Sequence, residues 1–186
     1  NYLSGIVYVA SGVTLTIEAG AKVQGKYSGS DVSALVIARG GKIVAKGNSD
    51  KPVIFTSASP NPQSGDWGGI VLLGTATVNQ SLTWKGTSYK GLTSVEGGVN
   101  DTEVGYGLAG SGDPAFPTAN DADNSGILQY VRIEYAGYAY QPDNELNSLT
   151  MAGVGNGTTI DHIQVTYAKD DAYEWFGGTV NCKYLI

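Results

Sequence analysis

Three groups of residues have types and spacings that suit chemistry. The first is Asp121-Ala-Asp123-Asn-Ser125-Gly126, preceded by Asn120. Oxygen donors at alternate positions followed by Gly are how a short loop wraps Ca²⁺, which takes about six to eight hard oxygens. The EF-hand form fails, because Arg132 stands at the twelfth position and no flanking helices are visible. A calcium site would borrow a further carboxylate from Asp113, Glu103 or Glu134. The competing reading of Asp121, Asp123 and Ser125 is an Asx-turn loop leading into a strand.

The second group is Asp170-Asp171 with Glu174. Two carboxyl groups flanking a glycosidic bond can hydrolyse it, one protonating the leaving oxygen while the other activates water. Two other uses of the same residues stay open: a turn whose Asp side chains satisfy backbone N–H groups, and a second calcium-type site. The third group is aromatic: Tyr130, Tyr135, Tyr138, Tyr140, Tyr167, Tyr173, Trp175, Phe176 and Tyr184 fall close together. Tyr and Trp offer rigid, partly polar contact area suited to a glycan or a protein partner. Tyr138, Tyr140 and Trp175 are the candidate ligand contacts, while Tyr135 and Tyr167 read as a structural stack. His162 aligns with Tyr130 and Cys182 and reads as a packing position on a strand face. No Ser stands in a recognisable nucleophile setting, and the single Cys182 gives no disulfide framework within the chain.

The elements that must position these groups are repeats. Leu128 to Gly137 matches Ile160 to Lys169, setting Leu128 on Ile160, Val131 on Ile163, Ile133 on Val165 and Tyr135-Ala136 on Tyr167-Ala168. Val180 to Ile186 follows as a partial copy. Near the start, Thr14 to Val23 matches Ala34 to Ile43, with Leu15/Leu35, Ile17/Ile37, Gly20/Gly40 and Lys22/Lys42 identical. Short alternating runs of β-branched and aromatic residues cut by Gly, Asn and Asp are strands and turns. A unit that recurs this way cannot bury its apolar side alone and must stack on its neighbours. No stretch has a capped helical period, so a βαβ arrangement is not available. The pattern predicts a single all-β domain over 1–186, a right-handed parallel β-helix of six to eight coils with twenty-odd residues per turn. From 79 to 126 the pattern breaks into an acidic, Gly- and Asp-rich stretch that reads as a long inserted loop.

Charge bounds the partners. The net charge is −6 with 11 Lys and Arg against 17 Asp and Glu. Only Arg39 and Arg132 are arginines, so the basic footprint that nucleic acid needs is missing. No apolar run reaches membrane-spanning length. The chain starts at Asn1 and stops at Ile186 inside a strand, so it is expected to be a trimmed piece with further coils beyond. Open coil ends would also permit self-association.

The segments VTLTIEAGAKVQG (13–25), GDWGGIVLLG (65–74), NDADNSGILQYVRIEYAG (120–137), GVGNGTTIDHIQV (153–165) and DDAYEWFGGTVNCKYL (170–185) together resemble a family of secreted right-handed parallel β-helix proteins common in Bacteroidota. Its members are surface lipoproteins or sorting-domain proteins of unknown function. The resemblance covers nearly the whole chain and implies an exported, cell-surface or extracellular setting without implying an activity. On such a fold, acids at a coil corner are similar to those of polygalacturonase-type hydrolases, which also use a His and an Arg/Lys pair that binds uronate. Here only His162, Lys169 and Arg132 stand nearby, too few for an acidic polysaccharide, and Ca²⁺-dependent lyases meet the same objection. The expected function is a non-catalytic surface module, structural, adhesive or ligand-binding, possible partners being a glycan, a surface protein or another copy. The alternative is a polysaccharide-degrading enzyme using Asp170, Asp171 and Glu174.

Overall fold

The fold is described from a computed structural model covering residues 1–27, 32–100, 104–141 and 144–186, with Gln141 described by its backbone alone. Glu103, named above as a possible calcium ligand, lies outside the described residues, as does Asp143. Among the described residues every regular element is a strand.

The chain winds over three faces in turn. After β1 (Tyr2–Leu3), the first coil is β2 (Ile6–Val9), β3 (Thr14–Ile17) and β4 (Lys22–Gly25). The second is β5 (Ala34–Ile37), β6 (Lys42–Lys46) and β7 (Val53–Ser57). The third begins with β8 (Gly69–Leu73) and is interrupted by two antiparallel pairs, β9 (Ser81–Trp84) with β10 (Thr87–Lys90) and β11 (Leu92–Ser94) with β12 (Leu108–Gly110). It resumes in β13 (Gly126–Glu134), followed by a small antiparallel excursion, β14 (Ala139–Gln141) and β15 (Asn144–Glu145). β16 (Leu149–Ala152) and β17 (Thr159–Thr166) form the fourth coil, β18 (Tyr173–Phe176) and β19 (Asn181–Leu185) the fifth.

Strands stack in parallel from coil to coil. The first face is β2-β5-β8-β16-β18. The other two faces join where long strands bend: the start of β13 pairs with β6, and its end, Val131–Ile133, pairs with β7. Tyr130 makes that bend with φ 49°, and His162 and Tyr184 make it in β17 and β19 with φ 54° and 53°. Left-handed backbone costs a non-Gly residue about 1–2 kcal/mol. Ring stacking offsets part of that cost, with Tyr130–His162 and His162–Tyr184 centroids each 4.3 Å apart. Tyr135 and Tyr167, at φ 60° and 56°, stack at 4.9 Å on the next corner. Gly126 begins β13 at φ 117° where a Cβ would run into the Ile43 carbonyl, so only Gly admits the two backbones.

One apolar interior runs through all the coils, with Leu35, Ile70 and Leu149 in one rung and Phe55 and Ile133 in another. Val131 and Ile163 are direct partners in adjacent layers. Each fully buried Leu, Ile or Phe contributes about 1.5–3 kcal/mol against the entropy of ordering it. Trp67 is fully buried, stacks on Phe55 at 6.5 Å and donates its indole N–H to the Glu134 carbonyl at 2.8 Å.

The first face is buried on both sides. Ala34, Val36, Val71, Leu73 and Ala152 turn away from the interior into a second apolar cluster with Val95, Val99, Ala109 and Leu146. That explains the unbroken apolar runs ALVI and GIVLL, since a strand covered on both faces loses its alternation. The stretch expected to be a loop therefore contains packed antiparallel strands that cover the first face. Its anchor is Arg39, which donates to both Asp113 carboxylate oxygens at 2.7 and 2.9 Å and to the Gly110 carbonyl at 3.1 Å.

Three expectations need correction. Leu15 stacks on Ile43, and Leu35 lies between Val7 and Ile70. The twenty-residue match near the start therefore relates strands on different faces, β3 to β5 and β4 to β6, which share one alternation and one Gly corner, and does not relate stacked layers. Ile6 pairs with Ala34 and Leu149 with Tyr173, as twenty-odd residues per turn requires, whereas Ala34 pairs with Gly69 and Ile70 with Leu149, so the middle coils are longer than supposed. The first face accordingly counts five strands where six to eight coils were expected. Finally, Cys182 stacks on Ile160 and the partner of His162 is Tyr184, because one register holds on both sides of the bend, Asp161 on Lys183 and Ile163 on Leu185, two residues away from the alignment on Cys182.

Candidate functional site

Tyr138 and Tyr140, far along the chain from the strands β2 and β5 that they approach, are delivered by the β14–β15 excursion to the outer edge of the first face. There they meet Tyr8, which alternation turns outward from β2. The three tyrosines, with Ile6 and Leu146, line a crevice of about 330 Å³. None of the described residues that line it carries a charge. Tyr8 is fixed by donating its hydroxyl to the Val99 carbonyl at 2.7 Å. Tyr138 is half-buried, whereas Tyr140 is 60% exposed. Gly98 lets the Tyr140 ring lie against the backbone, since a Cβ there would sit 3.3 Å from the ring. The neighbouring Gly97 N–H donates to Asn144 Oδ1 at 2.6 Å, tying the inserted segment to the excursion. Trp175 does not join this crevice. It pairs in register with the interior residue Met151, on the opposite side of the sheet from Tyr8.

The acidic corner has a different character. Asp170 and Asp171 are exposed, while Glu174 is half-buried on the outer side of β18, next to Thr150. Asn147 donates Nδ2–H to Glu174 Oε2 at 2.6 Å. Burial raises the Glu174 pKa, that hydrogen bond opposes the rise, and the charges of Glu96, Asp171 and Asp170 add to it. A carboxyl group whose pKa is raised in this way keeps its proton to higher pH than a free Glu, the direction that suits proton donation. Asn147 is only 5% exposed, and its Oδ1, with Ser148 Oγ and Thr150 Oγ1, is buried without a partner among the described residues. Asp170, Asp171 and Glu174 do not line the tyrosine crevice.

The residues read as a calcium set make protein contacts. Asp121 accepts the Thr77 N–H at 2.9 Å, which lowers its pKa. Asp123 accepts from Thr75 Oγ1 at 2.9 Å and from Ser125 Oγ at 3.3 Å. Asp113 does not complete the loop, because both its oxygens are engaged by Arg39, a charge-assisted bidentate pair almost wholly out of water. Glu134 pairs with Arg132 at 2.5 Å. Among the described residues no group of three or more His, Cys, Asp or Glu side chains is placed to hold a metal ion. His162 stays a structural residue in its ring stack, with Nδ1 2.5 Å from Asp161 Oδ1.

Sequence reasoning missed Tyr8, Leu146 and Arg39. A signal existed for the first two: the runs ALVI and GIVLL imply that something covers the outside of the first face. Arg39 carried none, because an isolated basic residue after a strand does not reveal a partner far along the chain.

Coils of parallel strands around one interior, without a helix among the described residues, define a parallel β-helix protein. The model of the pectate-lyase-like β-helix domain matches residues 1–186, and the chain belongs to that family. No curated protein and no solved structure matches it. No helix among the described residues is long and apolar enough to cross a membrane.

Proposed function

We propose that this chain is a non-catalytic β-helix module of the cell surface or extracellular space that holds a neutral glycan. The observation that carries the reading is the convergence of Tyr8, Tyr138 and Tyr140 on one uncharged crevice of about 330 Å³. That volume lies within the range of small-molecule sites. Tyrosine rings accept the apolar C–H face of a pyranose while their hydroxyls meet its polar edge. Among the described residues no Lys or Arg lines the crevice, which disfavours a uronate and favours an uncharged sugar. The likeness to exported β-helix proteins supports the extracellular setting.

Isothermal titration with a panel of neutral polysaccharides tests the reading. Saturable binding is expected, with Tyr140→Ala weakening it about two- to tenfold or more. A panel with no binder, or binding indifferent to Tyr138→Ala and Tyr140→Ala, contradicts it. One observation favours a second reading: the proton-retaining Glu174 flanked by Asp170 and Asp171 suits glycoside hydrolysis. Release of reducing ends that disappears in Glu174→Gln would replace the non-catalytic reading with that one.

A further inference from the structure

The tyrosine crevice does not end at Tyr8. The Tyr8 ring stacks on Tyr106 with centroids 5.0 Å apart. Tyr106 in turn lines a second crevice of about 370 Å³, together with Trp84, Phe116 and Ala115. The two hollows therefore meet across a single pair of rings, on the seam where the inserted segment packs against the first face. The second hollow is also aromatic. Among the described residues its charged lining is Arg39 and Asp113, which neutralise each other in the bidentate pair described above. Arg39 further lies over the Phe116 ring, 4.5 Å from its centroid. A Cβ at Gly105 would approach the Trp84 ring to 3.2 Å, so Gly is what keeps that indole at the wall.

We propose that the two hollows are consecutive subsites for one extended neutral oligosaccharide, with sugar rings seated on both sides of the Tyr8–Tyr106 pair. The inference rests on the glycan reading and specifies its ligand as a chain longer than one crevice accommodates. Aromatic walls on either side suit successive pyranose rings, and the described residues lining the two hollows carry no net charge, which matches an uncharged chain. Linking a second ring-binding event to the first raises affinity through effective concentration, without any change at the first site.

The test is a titration with cello- and malto-oligosaccharides from monosaccharide to hexasaccharide, with oligogalacturonides as the anionic control. Affinity is expected to rise by about tenfold or more once the chain is long enough to enter both hollows. Ala115→Trp, which fills the second hollow without removing a packed side chain, is expected to abolish that rise and keep the short-chain affinity. Trp84→Ala is expected to cut long-chain affinity about two- to tenfold; its melting temperature, beside that of Ala115→Trp, verifies that both variants fold. Affinity that is flat with length, or that Ala115→Trp lowers equally for short and long probes, overturns the two-subsite inference and leaves the single-crevice reading standing. Failure of every neutral probe, or preference for the oligogalacturonides or for a polyproline peptide, overturns both.

Discussion

The buried pair of Arg39 and Asp113 gives the sharpest energetic prediction. Arg39 makes three hydrogen bonds, at 2.7, 2.9 and 3.1 Å, and its side chain and that of Asp113 are 5% and 0% exposed. Removing one member strands the other charge in a dry place, which costs about 3–5 kcal/mol. Asp113→Asn keeps one acceptor oxygen and belongs at the lower end; Asp113→Ala belongs at the upper end. Replacing both residues with apolar ones of similar volume, Arg39→Met with Asp113→Leu, removes the stranded charge. It leaves the Gly110 carbonyl without its donor, so the double variant is expected within about 1–2 kcal/mol of the parent. The double-mutant cycle should thus give a coupling of at least about 3 kcal/mol. Urea denaturation is the assay, because an ionic denaturant would screen the charges. Asp113→Asn should also speed proteolytic cleavage between 79 and 126, since the pair pins that segment to the coil. A loss below about 1 kcal/mol would mean that the pair is solvated and that the inserted segment does not pack as described.

Other outcomes follow from the same structure. At the bend, His162→Gly should be less destabilising than His162→Ala by about 1 kcal/mol: both lose the ring stack, and only Gly relieves the positive φ; thermal melts of the pair decide it. Burial raises the folded-state pKa of Glu174 above its unfolded value near 4.5, so its contribution is complete below that value and lost as pH rises through the folded pKa. Glu174→Gln should therefore flatten the stability profile above pH 4.5 and be the more stable protein at neutral pH; a variant less stable there contradicts the assignment. Burial likewise raises the Cys182 pKa, so at pH 8 its alkylation should run slower than that of a free thiol and speed up on unfolding. Because Asp121 and Asp123 already accept hydrogen bonds from Thr77 and Thr75, a chelator should leave the melting temperature unchanged, and a drop of several degrees would restore the calcium reading.

The winding was legible because Leu128, Val131 and Ile133 repeat as Ile160, Ile163 and Val165, and those residues are register partners. Layer identity near the start was not. Strands on different faces of a β-helix share the same alternation and the same Gly corners, so Leu15 in β3 resembles Leu35 in β5 as closely as it resembles its true neighbour Ile43. His162 was set on Cys182 for a related reason: strands that share a two-residue period match almost as well after a slip of two, and the true register puts His162 on Tyr184, between Asp161 on Lys183 and Ile163 on Leu185. In the candidate site, Tyr138 and Tyr140 stood out as rings in an excursion, and they do share a crevice. Tyr8, Tyr106 and Trp84 did not stand out, because the coil brings them together from segments far apart in sequence. Asp113 looked like a spare carboxylate only because its partner, Arg39, lies one coil earlier, far back in the sequence.

The most direct measurement is hydrogen exchange followed by mass spectrometry with and without a saturating neutral oligosaccharide. The account predicts slowed exchange confined to segments 5–9, 95–99 and 138–141, extending to 104–106 for long chains. Slowing confined to 169–176, or accompanied by cleavage of the oligosaccharide, would contradict it and place the activity at the acidic corner.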